Sequence, residues 1–323
     1  MFVLGLDIGY SNVKLAMGES SAAPIVSLSP AGAAPVDRLP ESLGKSDDVL
    51  RVMVDDTLWA ACVNPGKFSL WNRALHQDYS RSDSYRALFH AALLLSERDV
   101  VDLVVTGLPV AQWLDRAHRD EISQRLTGCH RITKKREVRV AQVRVIPQPI
   151  GGYLDVLWSG TNGAILEEGC VLAIDPGFFS VDWAVVEEGD LRKTSSGTSL
   201  EAMSVLLDHA SRLMAEEHGG KIPVDRLEEA LRTKRNQVLL YGQTIDIGPY
   251  LRQAAERVAP VALEALRESI RKESGSIDAI LLTGGGAKFY EPVVKALFTS
   301  NSILVPMKPE LANARGFYYF GRD

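Results

Sequence analysis

Leu4–Met17 reads LGLDIGYSNVKLAM, and Leu172–Val185 reads LAIDPGFFSVDWAV. Each stretch starts as an apolar strand, arrives at Asp-x-Gly and leaves as a second alternating strand, the pattern of a β-hairpin closed by a glycine-bearing turn. Superposed, they match at Leu4 and Leu172, Asp7 and Asp175, Gly9 and Gly177, Val13 and Val181, and Ala16 and Ala184, so the chain carries an internal duplication. A turn built from Gly and small polar residues aims backbone N–H groups into one concavity that favours an anion. Asp7 and Asp175 then stand where a phosphate-bound Mg²⁺ takes carboxylates, directly or through its waters. One such turn carries little weight, since Asp and Gly are ordinary turn residues. The weight lies in the pair and in two segments near the C-terminus.

The chain as a whole allows two domains. Its 323 residues are enough for two proper cores, and 46% hydrophobic with 24% charged residues is the composition of an ordinary globular protein. A formal net charge of -5 gives no general attraction to nucleic acid. Cys62, Cys129 and Cys170 are odd in number and far apart, which reads as buried thiols in a reducing compartment. No apolar run reaches the ~18 residues of a membrane span. The start MFVLGLDIG lacks a basic flank and goes straight into a strand, so a cytoplasmic protein is expected.

Between the two hairpins, Ser20 to Glu41 is rich in Ala, Pro and Ser and reads as an extended loop. Leu50 to Val63 forms a hairpin around Asp55-Asp56, and Ser84 to Leu95 a buried helix capped by Ser82, Asp83 or Ser84. Val100 to Val105 is a central parallel strand, and Trp113 to Leu126 a second helix. His130 to Arg144 alternates basic and apolar residues, as soluble edge strands do. Val145 to Val156 runs from strand into helix through Pro147 and Pro149, and Thr161 to Gly169 is the boundary between the halves. In the second half, Ser199 to His218, Asp225 to Lys234 and Pro249 to Lys272 are helical, and Val238 to Ile247 is strand-like around Gly242. Strands alternating with helices define an α/β architecture, and an antiparallel hairpin opening each half excludes a simple Rossmann domain.

Two further motifs close the chain. Ile280 to Lys288, ILLTGGGAK, lets a buried strand emerge into three glycines, where backbone approaches a ligand closely and a helix N-terminus points at it. Pro309 to Phe317, PELANARGF, opens a C-terminal helix whose small residues permit tight packing.

In this order the segments resemble the nucleotide-binding motifs of the actin, Hsp70 and sugar-kinase superfamily, and most closely the bacterial and archaeal actin-like ATPases of plasmid segregation, the ParM or StbA type. GLDIGYSNVK resembles the first phosphate motif and VIPQPIGGY the first connecting helix. AIDPGFFSVDW resembles the second phosphate motif, LLTGGGAKF the adenosine motif and PELANARGFYYF the second connecting helix. The resemblance implies an actin-like ATPase fold, with two related RNase H-like α/β domains flanking a nucleotide cleft. Domain I would take residues 1–160 with a helix over 306–323 returning to it, and domain II residues 161–305.

It also implies roles. Asp7 and Asp175 would hold the waters of Mg²⁺, and Gly9, Tyr10, Ser11 and Asn12 would surround the terminal phosphates that Lys14 reaches. Gly177, Phe178, Phe179, Ser180 and Asp182 form the second wall, where Asp182 is the counterpart of Lys14. Gln148 falls where relatives orient the attacking water, a task of positioning that an amide can perform. Gly284, Gly285 and Gly286 would meet ribose and α-phosphate, and Lys221 or Arg226 the adenine. Phe178 and Phe179 depart from the family pattern, which places a second glycine and a small residue there.

The function implied is binding of Mg-ATP, or Mg-GTP, hydrolysis, and head-to-tail assembly into filaments. A DNA-binding adaptor would link these to a plasmid, without direct contact with nucleic acid or membrane. The alternatives are a small-molecule kinase of the same superfamily, which needs a catalytic Asp that the sequence does not offer near Val105 to Val110 or Pro147 to Gly152, and a non-polymerising nucleotide-binding scaffold.

Overall fold

The computed structural model describes residues 1–40, 49–68, 76–160, 163–271 and 276–322. The chain divides into two compact units, Met1–Asn162 with Leu311–Asp323, and Gly163–Glu310.

Unit 1 contains strands β1 (Phe2–Ile8), β2 (Asn12–Glu19), β3 (Ile25–Pro30), β4 (Gly32–Pro35), β5 (Leu50–Val54), β6 (Thr57–Val63), β7 (Val100–Leu108), β8 (Gly128–Arg131) and β9 (Glu137–Pro147). Its helices are α1 (Asp83–Leu95), α2 (Val110–Leu114), α3 (Arg116–Leu126) and α4 (Gln148–Trp158). The main sheet has the order β3-β2-β1-β7-β9-β8, and β4-β6-β5 forms a smaller one. β1, β7 and β9 run parallel. β1 is buried at every position, as a strand covered on both faces must be.

Unit 2 follows the same plan. It contains α5 (Gly163–Glu168), β10 (Cys170–Pro176), β11 (Val181–Glu187), β12 (Asp190–Ser199), α6 (Met203–His218), α7 (Val224–Arg232), β13 (Gln237–Leu240), β14 (Gln243–Asp246), α8 (Gly248–Ile270), β15 (Ala279–Leu282), α9 (Ala287–Leu297) and β16 (Ser302–Leu304). The sheet order β12-β11-β10-β15-β16 repeats β3-β2-β1-β7-β9 strand for strand, with β10, β15 and β16 parallel. Leu4 pairs with Val104 and Leu172 with Ile280, so the matched residues of the two hairpins occupy matched places in two sheets.

The last helix, α10 (Ala312–Phe320), packs on α4 within unit 1. A Cβ on Gly316 would overlap the carbonyl oxygen of Gly151, so glycine is what lets these two helices touch backbone to backbone. Asp155 of α4 holds the contact electrostatically, through Arg315 Nε at 2.7 Å.

Several sequence expectations are corrected. The stretch 20–40 is not all loop: β3 extends the main sheet and β4 opens the small one, although Ala, Pro and Ser give no alternation to read. Glu41 lies outside the described residues. The helix expected over Trp113 to Leu126 is two, because Asp115 breaks the run and caps α3 by accepting from Ala117 N. β9 is an inner strand and β8 alone is the edge, so the basic alternation of His130 to Arg144 is shared between them. α6 begins at Met203, since Ser199 ends β12 and Ala202, the N-cap of α6, is extended. Thr161, Asn162 and Lys272, which were given to the boundary and to the end of a helix, fall outside the described residues.

Candidate nucleotide site

In an open α/β sheet, ligands gather at the carboxyl ends of parallel strands. In unit 1 that edge collects the turn after β1, the loop after β7 and the start of α4 after β9. Asp7 is the second-last residue of β1 and stands opposite Lys14 of β2. Directly opposed residues project to one face, so the antiparallel register alone brings an acid and a base together. Lys14 Nζ lies 2.8 Å from Asp7 Oδ2, with the Asp7 side chain 1% exposed and that of Lys14 17%. Gln148, the first residue of α4, donates from Nε2 to Asp7 Oδ1 at 3.2 Å. Asp7, Lys14 and Gln148 therefore form one cluster, and both carboxylate oxygens of Asp7 are held.

The turn itself is closed by Gly9 N donating to Asn12 O at 3.0 Å. Ser11 O accepts from Ala31 N, and Asn12 Nδ2 donates to Ser11 Oγ at 2.9 Å. Asn12 Oδ1 is buried and has no hydrogen-bond partner among the described residues. Tyr10 takes a different direction from the one expected of a phosphate contact: its hydroxyl donates to His76 O and its ring stacks on Tyr79 at 4.4 Å between centroids.

Unit 2 repeats the turn with different chemistry. Gly177 N donates to Ser180 O at 2.8 Å, matching Gly9 and Asn12. Asp175 faces Asp182 across β10 and β11, and both are buried. Where unit 1 opposes an acid to a lysine, unit 2 opposes two acids, an arrangement that a cation stabilises. Asp182 is held by hydroxyls, from Ser180 Oγ to one oxygen and from Thr198 Oγ1 to the other, each at 2.6 Å. Thr198 belongs to none of the sequence motifs; its signal is the small polar run TSSGTS at 194–199.

The structure also shows how two phenylalanines fit in the second turn. The first amides of α6 bond back to it, Met203 N to Gly177 O at 3.2 Å and Ser204 N to Phe178 O at 2.8 Å. In a planar trans peptide the N–H points opposite to the C=O, so the amides of Phe178 and Phe179 are directed away from α6. The Phe178 ring is partly buried against the core of unit 2. Presentation of amides by this turn therefore does not need glycine at either position.

The three glycines come to the same edge. Gly284, at φ 77°, sits so close to Asp175 that a Cβ there would overlap the carboxylate. Its N–H donates to Pro309 O and that of Gly286 to Pro176 O, while a Cβ on Gly285 would meet nothing within 4 Å. Gly285 is thus the open point of the loop, directly before α9. Lys221 Nζ lies 3.4 Å from Asp208 on α6, and Arg226 is in the first turn of α7.

No group of three or more His, Cys, Asp or Glu side chains among the described residues forms a metal cage. The buried carboxylates, Asp7 in unit 1 and Asp175 in unit 2, are of the type taken by Mg²⁺ of the nucleotide-bound kind, which uses one or two carboxylates, keeps waters and completes its shell with phosphate. Within unit 1, the orphaned Asn12 Oδ1 is a group that such a ligand would satisfy.

The architecture is that of an actin-like protein. The model of the N-terminal domain of actin-like proteins matches residues 5–151, and that of the C-terminal domain of MreB-like archaeal actin homologues matches residues 173–296. The chain belongs to the actin-like superfamily. Among solved structures it resembles the archaeal actin homologue Ta0583, at 19% identity over 99% of both chains with a TM-score of 0.78. That protein has also been solved in complex with ADP, at 21% identity and a TM-score of 0.74 over 99% of each chain. A ParM protein seen in a 15-stranded filament from Clostridium botulinum matches at 18% identity, over 99% of this chain and 98% of that one, with a TM-score of 0.75. No curated protein is recognisably similar in sequence.

Proposed function

We propose that the chain is an ATPase that binds Mg-ATP, assembles head to tail into filaments and hydrolyses the nucleotide, serving plasmid or DNA segregation through an adaptor in the cytoplasm. The observation that carries this reading is the Asp7 carboxylate, buried and held on one oxygen by Lys14 and on the other by Gln148. Membership of the actin-like superfamily supports it, as do the ADP complex of one similar protein and the filament of another.

In this mechanism Asp7 and Asp175 would hold waters of Mg²⁺, and Lys14 would lend its charge to the terminal phosphates. When bound, Mg²⁺ would supply neutralisation of phosphate charge. Gln148 has its Nε2 committed to Asp7, which leaves Oε1 as an acceptor for the attacking water. The water oxygen bonds to the γ-phosphorus, the bond to the bridging oxygen breaks, ADP leaves and the proton passes to the phosphate product. Asn12 and the amides of Phe178 and Phe179 receive phosphate oxygens, with Ser11 and Ser180 shaping the two turns. Gly285 admits ribose and α-phosphate, and Lys221 or Arg226 approaches the base. A head-to-tail contact is heterologous and does not close, so it generates a filament.

Light scattering and sedimentation with Mg-ATP, run beside phosphate release, test the proposal. Wild-type protein should assemble with ATP and with a non-hydrolysable analogue, and disassemble only with ATP. Gln148→Ala should assemble yet release phosphate at least about tenfold more slowly. Phosphate transfer to a small hydroxyl compound without assembly would establish a kinase instead.

A further inference from the structure

Unit 1 holds a cavity of about 330 Å³ at the β5–β6 turn, α1, the end of α3 and β8, and none of the nucleotide motifs lines it. Asp55, Arg86 and Arg125 line it together with Phe89, His90 and His130. Its volume is at the lower end of the range for small-molecule sites, roughly 300–1,000 Å³.

Its charges do not cancel. Arg86 is bound by Asp55, and Arg131, also on the wall, by Asp56 at 2.7 Å. Arg125 donates to the carbonyl of Arg81 and has no ion pair with a carboxylate among the described residues. One guanidinium therefore keeps a positive charge and free donors at the cavity.

His90 supplies the second, independent feature. It is 3% exposed, and its Nδ1 lies 2.6 Å from Met53 O, so Nδ1 carries the proton and donates. Burial pushes its pKa down to about 4, against the partial opposition of that bond, so the ring is neutral. Nε2 is then a bare acceptor, buried on the wall, with no partner among the described residues. A buried acceptor left unsatisfied is destabilising, and an apolar side chain at this position would avoid that cost.

We propose that this cavity binds a small organic anion, a carboxylate or phosphate monoester, that also carries a hydroxyl or amino donor. The anion pairs with Arg125, the donor reaches His90 Nε2, and the carbon skeleton lies against Phe89. An acceptor without a partner and a cation outside any ion pair among the described residues, both on the wall of one cavity, select a two-headed compound over either half alone. None of Asp7, Lys14 and Gln148 lines this cavity.

Histidine imidazole NMR on the full chain tests this, with glycerol 3-phosphate and glycerate as the two-headed probes and inorganic phosphate and glycerol as the halves. Saturable shifts of His90 and His130 are expected with a Kd of about 1 mM or tighter for at least one two-headed probe, and its identity decides between phosphate and carboxylate. Arg125→Met should weaken that binding about tenfold, the loss of one charge-assisted contact. Cys129→Phe, at an exposed position on the cavity wall, should block it and serves if the Arg125 variant misfolds. No saturable shift with either two-headed probe, equal affinity for glycerol alone, or undiminished binding in both variants would overturn the proposal.

Discussion

Lys14→Met should destabilise the protein far more than Asp7→Asn, although both break the same ion pair. The asymmetry follows from burial: the Asp7 side chain is 1% exposed and that of Lys14 17%. Removing the lysine strands a carboxylate that, among the described residues, keeps the amide of Gln148 alone, and breaking a buried pair in this way costs about 3–5 kcal/mol. The amide that remains places the variant near the lower end, about 3 kcal/mol. Removing the acid instead leaves an ammonium on a flexible stem that reaches solvent, at about 1 kcal/mol. Combining Lys14→Met with Asp7→Asn removes both charges and should return stability to within about 1 kcal/mol of wild type, a coupling of about 3 kcal/mol across the cycle. In urea, with a slope of about 2–3 kcal/mol/M, Lys14→Met moves the midpoint down by about 1–1.5 M. Circular dichroism at neutral pH, with the slope checked for constancy, reads all four proteins. Equal losses in the two single variants, or a double variant no better than Lys14→Met, would refute the reasoning.

Other expectations are simpler to state. Gly316→Ala should lower stability by about 1–3 kcal/mol in a thermal or urea melt, because its methyl group would displace α10 from Gly151 on α4. Gly285→Ala should leave stability within about 0.5 kcal/mol, since nothing lies within 4 Å of the added carbon, yet weaken nucleotide binding about tenfold or more in a fluorescent-nucleotide titration. Stability should also fall on acidification through His90, whose folded pKa of about 4 is below its ordinary value of 6.5. The unfolded chain takes up the proton first, so the contribution is whole above about pH 6.5 and is lost as pH falls towards 4, by up to about 1.4 kcal/mol per unit. His130, Arg86 and Asp55 act on that ring, and His130 is itself held below its ordinary value by burial, so the measurement is the difference between wild type and His90→Leu in urea melts across this window. A difference that does not change with pH would reassign the acid sensitivity.

Local physics made much of the chain legible. The hairpins at Asp7 and Asp175, the cap at Ser82, the helix stop at Gly219 and the run from β15 through three glycines into α9 all follow from turn chemistry and periodicity within a few residues. The same signals misled where composition masked a strand, as in residues 20–40, where Ala, Pro and Ser take their β conformation from pairing with β2 and β6 and not from their own preference. The split between α2 and α3 turned on Asp115, whose capping oxygen outcompeted an otherwise continuous helical pattern.

The sequence by itself determined that there are two copies of one acidic turn, because alternation and Asp-x-Gly are short-range properties that survive duplication. That Asp7 faces Lys14 is given by the hairpin register that the structure shows. Only the tertiary structure decided that Gln148, 141 residues away, would reach Asp7, because that needs β7 to lie between β1 and β9 and to bring the start of α4 to the same sheet edge. Only it turned Tyr10 onto Tyr79, aimed the amides of the two phenylalanines away from α6, and left His90 with a buried acceptor beside an unmatched arginine. Contacts across such separations depend on how sheets and helices pack, and packing is a property of the whole chain.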